Sequence, residues 1–355
     1  MPEYGAGMRV GNGPGFIRCL RTVAFFCLVW PLVGQADEAT SPIHEAAYAT
    51  PNADRIFQFE YRFEVPPLPG VTGEAHLYVP VAMETSAQEI LAFEIETDLE
   101  GSIETESEYG NRYWHAIVPS GRRVPTPVVF SYTVKRRILR AGDVHDDEKS
   151  AAQYLTANSR VAVAHPILEP ILAEIRSASP GSDRTARARA IYDWVVDNVE
   201  YKKVGTGWGN GDTFWACNER YGNCTDFHSL FISLARTEGI PARFEMGFPI
   251  PADRKEGAIS GYHCWVEFWL PDVGWVPIDA SEAFKHPEKR DLFFGMHPAD
   301  RFHMTTGRDL RLGPDHHDRP LNYFIYPYLE IDGKRVEVEI NKEFRYRDVT
   351  EEEAL

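Results

Sequence analysis

Positive charge is scarce in this chain: 37 Lys and Arg stand against 53 Asp and Glu, a net charge of −16. A nucleic-acid binder needs a basic footprint for the phosphate backbone, so that class is excluded. Long apolar runs are also missing. None reaches the roughly 20 residues a spanning helix requires, so no integral membrane segment is expected after removal of an N-terminal leader. Cysteine is sparse, five in 355 residues, and no internal repeat is evident. What is there, 43 % hydrophobic residues with 12 % aromatics, suffices for a sizeable core in one or two domains.

The first 36 residues read as a secretory signal peptide. Arg9, Arg18 and Arg21 supply positive charge, residues 23–33 an apolar stretch, and Gly34-Gln35-Ala36 a small-x-small cleavage site. The protein is therefore expected to be exported, periplasmic or extracellular, with a linker over 37–54. Cleavage also removes Cys19 and Cys27, leaving Cys217, Cys224 and Cys264. An odd number in an exported chain means either one disulfide with one free thiol or three free thiols.

From 55 to 140 the pattern has period two, with runs at 56–65, 74–81, 89–97, 113–118 and 128–138 bounded by Pro and Gly. This predicts an antiparallel β-sandwich. The charged, aperiodic stretch 141–149 is the best boundary, and the segment 141–320 that it opens changes to helical periodicity. Ser182 or Asp183 can cap a helix with the apolar stripe Ala188, Ile191, Trp194, Val195 and Val199. A structureless loop is expected over 202–222, then a helix from Cys224 ending at Gly239-Ile240-Pro241, and strands at 242–248, 262–270 and 275–280. Residues 321–355 read as a C-terminal hairpin, 323–331 with 334–340 turning at Asp332-Gly333, and an acidic tail.

The chemistry concentrates in Arg220-Tyr221-Gly222-Asn223-Cys224-Thr225-Asp226. A cysteine in the first turn of a helix meets unpaired backbone N–H groups and the positive end of the helix dipole. Both favour thiolate and make the sulfur a nucleophile. Such a nucleophile works with a histidine that moves protons and a third group that holds the imidazole. His263 alternates with Tyr262, Cys264, Val266, Phe268 and Leu270, the predicted core face, and so is expected on an aromatic-lined surface with Trp265, Glu267 and Trp269. If the strand after Pro271-Asp272-Val273-Gly274 folds back antiparallel, Asp279 lies opposite His263 on the same face.

These residues, together with Leu234-Ala235-Arg236-x-x-Gly239-Ile240-Pro241, Tyr262-His263-x-Trp265-Val266-Glu267 and Gly274-Trp275-Val276-Pro277-Ile278-Asp279-Ala280, resemble the transglutaminase-like core of many bacterial proteins over about 150–320. The resemblance implies an α+β fold with a papain-like core, a nucleophile-bearing helix packed on an antiparallel sheet, and fits a β-sandwich placed before it. It implies Cys224 as nucleophile, His263 as base and acid, and Asp279 as orienter. Members of this superfamily hydrolyse amides or transfer acyl groups from glutamine to amines, and some have lost catalysis, so the fold leaves the reaction open.

The expected function is an exported thiol enzyme that cleaves or transfers peptide or protein amide acyl groups through a thioester, with hydrolysis as peptidase or amidase favoured. The alternatives are a protein-glutamine amine acyltransferase and a catalytically silent cell-surface binding scaffold. The backbone N–H of Cys224 is the natural first oxyanion donor, and Trp208, Trp215 and Asn218 are candidates for the second. Asp226, His228 and Trp265 are expected to flank the site, and Trp208, Trp215, Trp265 and Trp269 to line a peptide-binding cleft. A Cys217–Cys264 disulfide would pin the preceding loop and leave Cys224 free. No cofactor is expected. Gly205-Thr206-Gly207-Trp208-Gly209-Asn210-Gly211 lacks the Lys-Ser/Thr of a phosphate loop. Asp315-His316-His317-Asp318 carries metal-capable side chains, but adjacent residues rarely converge on one ion, so no metal is expected there.

Overall fold

The computed structural model describes residues 54–354 apart from 120, 182 and 337; the expected signal peptide and nearly all of the expected linker lie outside them. No described helix is long and apolar enough to cross a membrane. The fold is α+β with antiparallel sheets. The N-terminal strands are β1 (Arg55–Val65), β2 (Ala75–Val81), β3 (Gln88–Glu96), β4 (Gly101–Thr105), β5 (Arg112–Val118) and β6 (Thr126–Arg136). They form two sheets that meet where Trp114 of β5 packs on Phe130 of β6, ring centroids 5.8 Å apart.

Each of these sheets is completed from the far end of the chain. The first has the order Glu256–Ile259, Lys342–Asp348, β1, β6, β3, and the second Lys334–Arg335, Tyr328–Ile331, β2, β5, β4. An uncovered strand edge exposes unpaired N–H and C=O groups, and the C-terminal strands cover β1 and β2 on that side. The predicted turn at Asp332-Gly333 forms, but its hairpin is limited to Tyr328–Ile331 and Lys334–Arg335.

A third sheet, ordered Gly274–Ile278, His263–Leu270, Ala242–Pro249, Arg301–Thr306, carries the central motifs. On β1 the alternation of Phe57, Phe59, Tyr61 and Phe63 with polar neighbours turns these rings inward. Phe59 reaches Phe302 at 4.6 Å and Phe248 at 5.1 Å, so the first and third sheets share one continuous core.

Asp183 caps the helix Arg184–Asn198 through Ala186 N at 2.8 Å. Trp194, predicted on its apolar stripe, is only half-buried and donates to Glu174 at 2.9 Å. The expected structureless loop contains a seven-residue helix, Thr213–Glu219, too short to show a period; Asp212 caps it through Phe214 N. A parallel pair, Glu200–Tyr201 with Tyr221–Gly222, then clamps the chain directly before Cys224.

Candidate active site

The helix Cys224–Thr237 starts at the expected residue because its start is doubly capped. Asn223 accepts from Thr225 N at 2.9 Å, and Asp226 accepts in return from Asn223 N at 2.9 Å. The same Asp226 carboxylate accepts from Gly209 N at 2.6 Å and Gly211 N at 3.1 Å, tying the glycine-rich loop to the first turn. Only glycine is accommodated at 222, since a Cβ there would come within 2.1 Å of that carboxylate. Sequence order, cap and glycine thus fix one atom, the Cys224 sulfur, at a positive helix end.

His263 opens its strand, and its Nε2 lies 2.6 Å from Asp279 Oδ2. The two residues are not opposite each other. Leu270 pairs with Gly274 and Val266 with Ile278, a tighter turn than expected, so Asp279 arrives two positions before the ladder would reach His263. Asp279 instead leaves the strand as the cap of the helix Ala280–Lys285, accepting from Glu282 N and Ser281 Oγ at 2.9 Å, and from there its other oxygen meets the imidazole. The expected surface is also buried: His263, Trp265, Glu267 and Trp269 are each at most 5 % exposed. Val144, Ala151 and Tyr154 pack with Trp269 and Trp275, and Trp265 lies among His263, His297 and His303. Trp269 is therefore packed away, and Trp265 lines a cavity of about 280 Å³ that neither Cys224, His263 nor Asp279 lines.

Electrostatics polarise the three groups. A hydrogen bond with Cys264, then one with His263 and the imidazole charges of His263 and His228, hold the Cys224 thiol well below its ordinary value against the opposing effect of burial. Burial would lower His263, but the Asp279 charge and hydrogen bond and the bond to Cys224 outweigh it and push it up to about 9. Burial likewise opposes ionisation of Asp279, yet His263 and His228 keep it well below the carboxylate range. The favoured state is thiolate, imidazolium, carboxylate.

Of the flanking residues, His228 sits one turn into the helix with Nδ1 3.5 Å from Cys264 Sγ and Nε2 3.5 Å from Asp279 Oδ1. The oxyanion candidates do not bond to Cys224, His263 or Asp279. The indole of Trp208 donates to Gly205 O at 3.1 Å and that of Trp215 to Tyr221 O at 3.0 Å, while Asn218 is exposed. The Cys217–Cys264 disulfide is absent, and all three cysteines are free thiols. Cys264 faces the helix start, 3.8 Å from Thr225 Oγ1, which turns it toward Cys224.

Sequence reasoning missed Arg301, whose Nη2 donates to Asp279 Oδ2 at 3.0 Å. The alternation in Arg301-Phe302-His303-Met304 carried a strand signal that was not read. It also missed Tyr201 and Tyr262. Tyr262 bridges both neighbours of the nucleophile, at 3.0 Å from Asn223 Nδ2 and 3.1 Å from Thr225 Oγ1. Tyr201 pairs with Gly222, a register held by the bond from Lys202 N to Gly222 O. Burial and, next, the Cys224 charge raise both phenols.

The start of one helix, the start of an antiparallel strand and the cap of the next helix thus bring the three candidate residues Cys224, His263 and Asp279 together. Residues 173–280 match the transglutaminase-like superfamily, and the chain carries a core of that superfamily. An uncharacterized protein of Haemophilus influenzae is 26 % identical over 343 residues, covering 82 % of this chain and 90 % of its own. The protein YebA of Bacillus subtilis is 34 % identical over 77 residues, 19 % of this chain and 10 % of its own. Among solved structures, a candidate cysteine protease from Cytophaga hutchinsonii superposes with a TM-score of 0.56 at 16 % identity, over 84 % of this chain and 92 % of its own, a likeness of fold.

Proposed function

We propose that the protein is an exported thiol hydrolase of peptide or protein amides. The observation that carries this reading is the buried His263–Asp279 contact at 2.6 Å beside the Cys224 thiol. The Cys224 thiolate attacks the amide carbonyl, and the oxyanion is met by the Cys224 backbone N–H. His263 gives its proton to the leaving amine as the C–N bond breaks. It then takes a proton from water as that water attacks the thioester and the C–S bond breaks, which releases the acid and restores the Cys224 thiolate beside the imidazolium. Asp279, with one oxygen on His263 and Arg301 and the other on its own helix cap, holds the imidazole in place.

The test is the pH dependence of iodoacetamide alkylation, mapped to each cysteine by mass spectrometry in wild type and His263→Ala. Fast alkylation of Cys224 well below the ordinary thiol pKa of about 8.5, slowed in the variant, supports the reading. An ordinary thiol profile sinks it in favour of the binding scaffold. Incorporation of added primary amine into product would replace hydrolysis by acyl transfer.

A further inference from the structure

The run Asp315-His316-His317-Asp318 does not converge on itself, but one member converges with residues far away. Asp315 meets His76 and His115, with one ligand atom from each lying within 4.8 Å of the others. The two histidines come from β2 and β5. Tyr78 pairs with His115 and His76 with Ile117, so all four share the face opposite Leu77 and Trp114. Ile117, 49 % exposed, marks that face as the outer one.

The histidine nitrogens are oriented as a metal pair requires. His76 Nδ1 and His115 Nε2 face each other at 2.9 Å and share one proton, donated from His76, which a bound metal ion would displace to solvent. His115 Nδ1 lies 3.1 Å from Glu104 Oε1, a carboxylate that only accepts, so this nitrogen carries the proton and Nε2 presents its lone pair. Glu104 is itself held by the Tyr113 hydroxyl at 2.8 Å, and Tyr78 stacks flat on His115 at 4.6 Å. His76 repeats the arrangement more loosely, its Nε2 3.9 Å from Glu74. Carboxylates behind two converging imidazoles are the outer support of a metal site. Two nitrogens on a tetrahedral ion with bonds of about 2.0 Å stand roughly 3.3 Å apart, a few tenths of an ångström from the present spacing.

The third arm is positioned independently. His316 is buried and accepts from Leu312 N at 3.0 Å, anchoring the segment that carries Asp315. Gly313, at φ +80°, lets that segment pass over Tyr113, where a Cβ would come within 2.5 Å of the hydroxyl. We propose that His76, His115 and Asp315 bind a divalent transition metal of the zinc type, tying segment 311–318 to the outer face of the second sheet. Two imidazoles and one carboxylate suit zinc, and solvent supplies the fourth position beside the exposed Asp315. The cluster His263, Asp279 and Glu282 is also compact, but Arg301 already occupies Asp279, and a cation there would face that guanidinium.

The test is cobalt titration of the metal-stripped full chain and of its Cys224→Ala form, which removes the competing thiolate, followed by displacement with zinc. The expected result is one cobalt per chain in both, with the visible absorption of four-coordinate cobalt, and unchanged Cys224 alkylation in wild type. His115→Gln abolishes the signal, and exposed Asp315→Asn weakens binding without altering metal-free thermal unfolding. Glu104→Gln weakens it by about ten- to a hundred-fold while leaving every ligand in place. Absence of stoichiometric binding overturns the proposal, as does binding indifferent to His115→Gln or lost on His263→Gln.

Discussion

Cys217 and Cys224 are seven residues apart, both buried, and opposite in character. Cys217 lies inside the short helix Thr213–Glu219, where burial pushes its thiol up to about 11. Cys224 is buried more fully, yet at the first position of its own helix, with Cys264 and His263 as partners, its thiol is lowered. The more deeply buried sulfur is the one that is lowered, so partners and helix position, not depth, decide which sulfur ionises. A lone buried sulfur stays protonated; one offered donors and an imidazolium does not.

The largest expected effect is on turnover. Cys224→Ala should lower amide hydrolysis by at least about 10⁴-fold, whereas Cys217→Ala should leave it within about twofold, and Asp279→Asn should cost on the order of 10³- to 10⁴-fold. A steady-state assay on the three variants breaks the comparison if Cys217→Ala is the one that inactivates. The pH profile comes next. The acid step needs protonated His263, so activity should fall as pH rises through about 9, and it should fall again in acid as the thiolate takes a proton. A profile that keeps rising past pH 10 would show that the imidazolium is not the working acid. The smallest effect belongs to Cys264→Ala. Removing that hydrogen bond should move the alkylation midpoint of Cys224 upward, still below that of Cys217, and a downward shift would reverse the role given to Cys264.

Local rules made the helix start at Cys224 legible, because Asn223 and Asp226 cap it through contacts three residues apart at most. Asp279 was also legible, but through an incorrect register: its side chain reaches His263 from a helix cap rather than from across a ladder. Arg301 could not be paired with Asp279 from sequence, since irregular chain separates them and only the third sheet brings them together. The second oxyanion donor was sought in tryptophans whose N–H groups the loop uses for its own carbonyls. The His76–His115–Asp315 cluster was hidden for a related reason: a motif scan sees neighbours along the chain, and this one is assembled across two strands and a distant turn.

The strand Lys342–Asp348 lies against β1, and Arg55 reaches Asp348 through an ion pair spanning 293 residues. During synthesis, the first described strand waits for almost the last before its open edge is covered. Contacts of this separation slow folding and leave a chain exposed to mispairing while it waits. Completion of the first sheet is therefore a late event in the life of each molecule, governed by the arrival of the final strand rather than by assembly of the site.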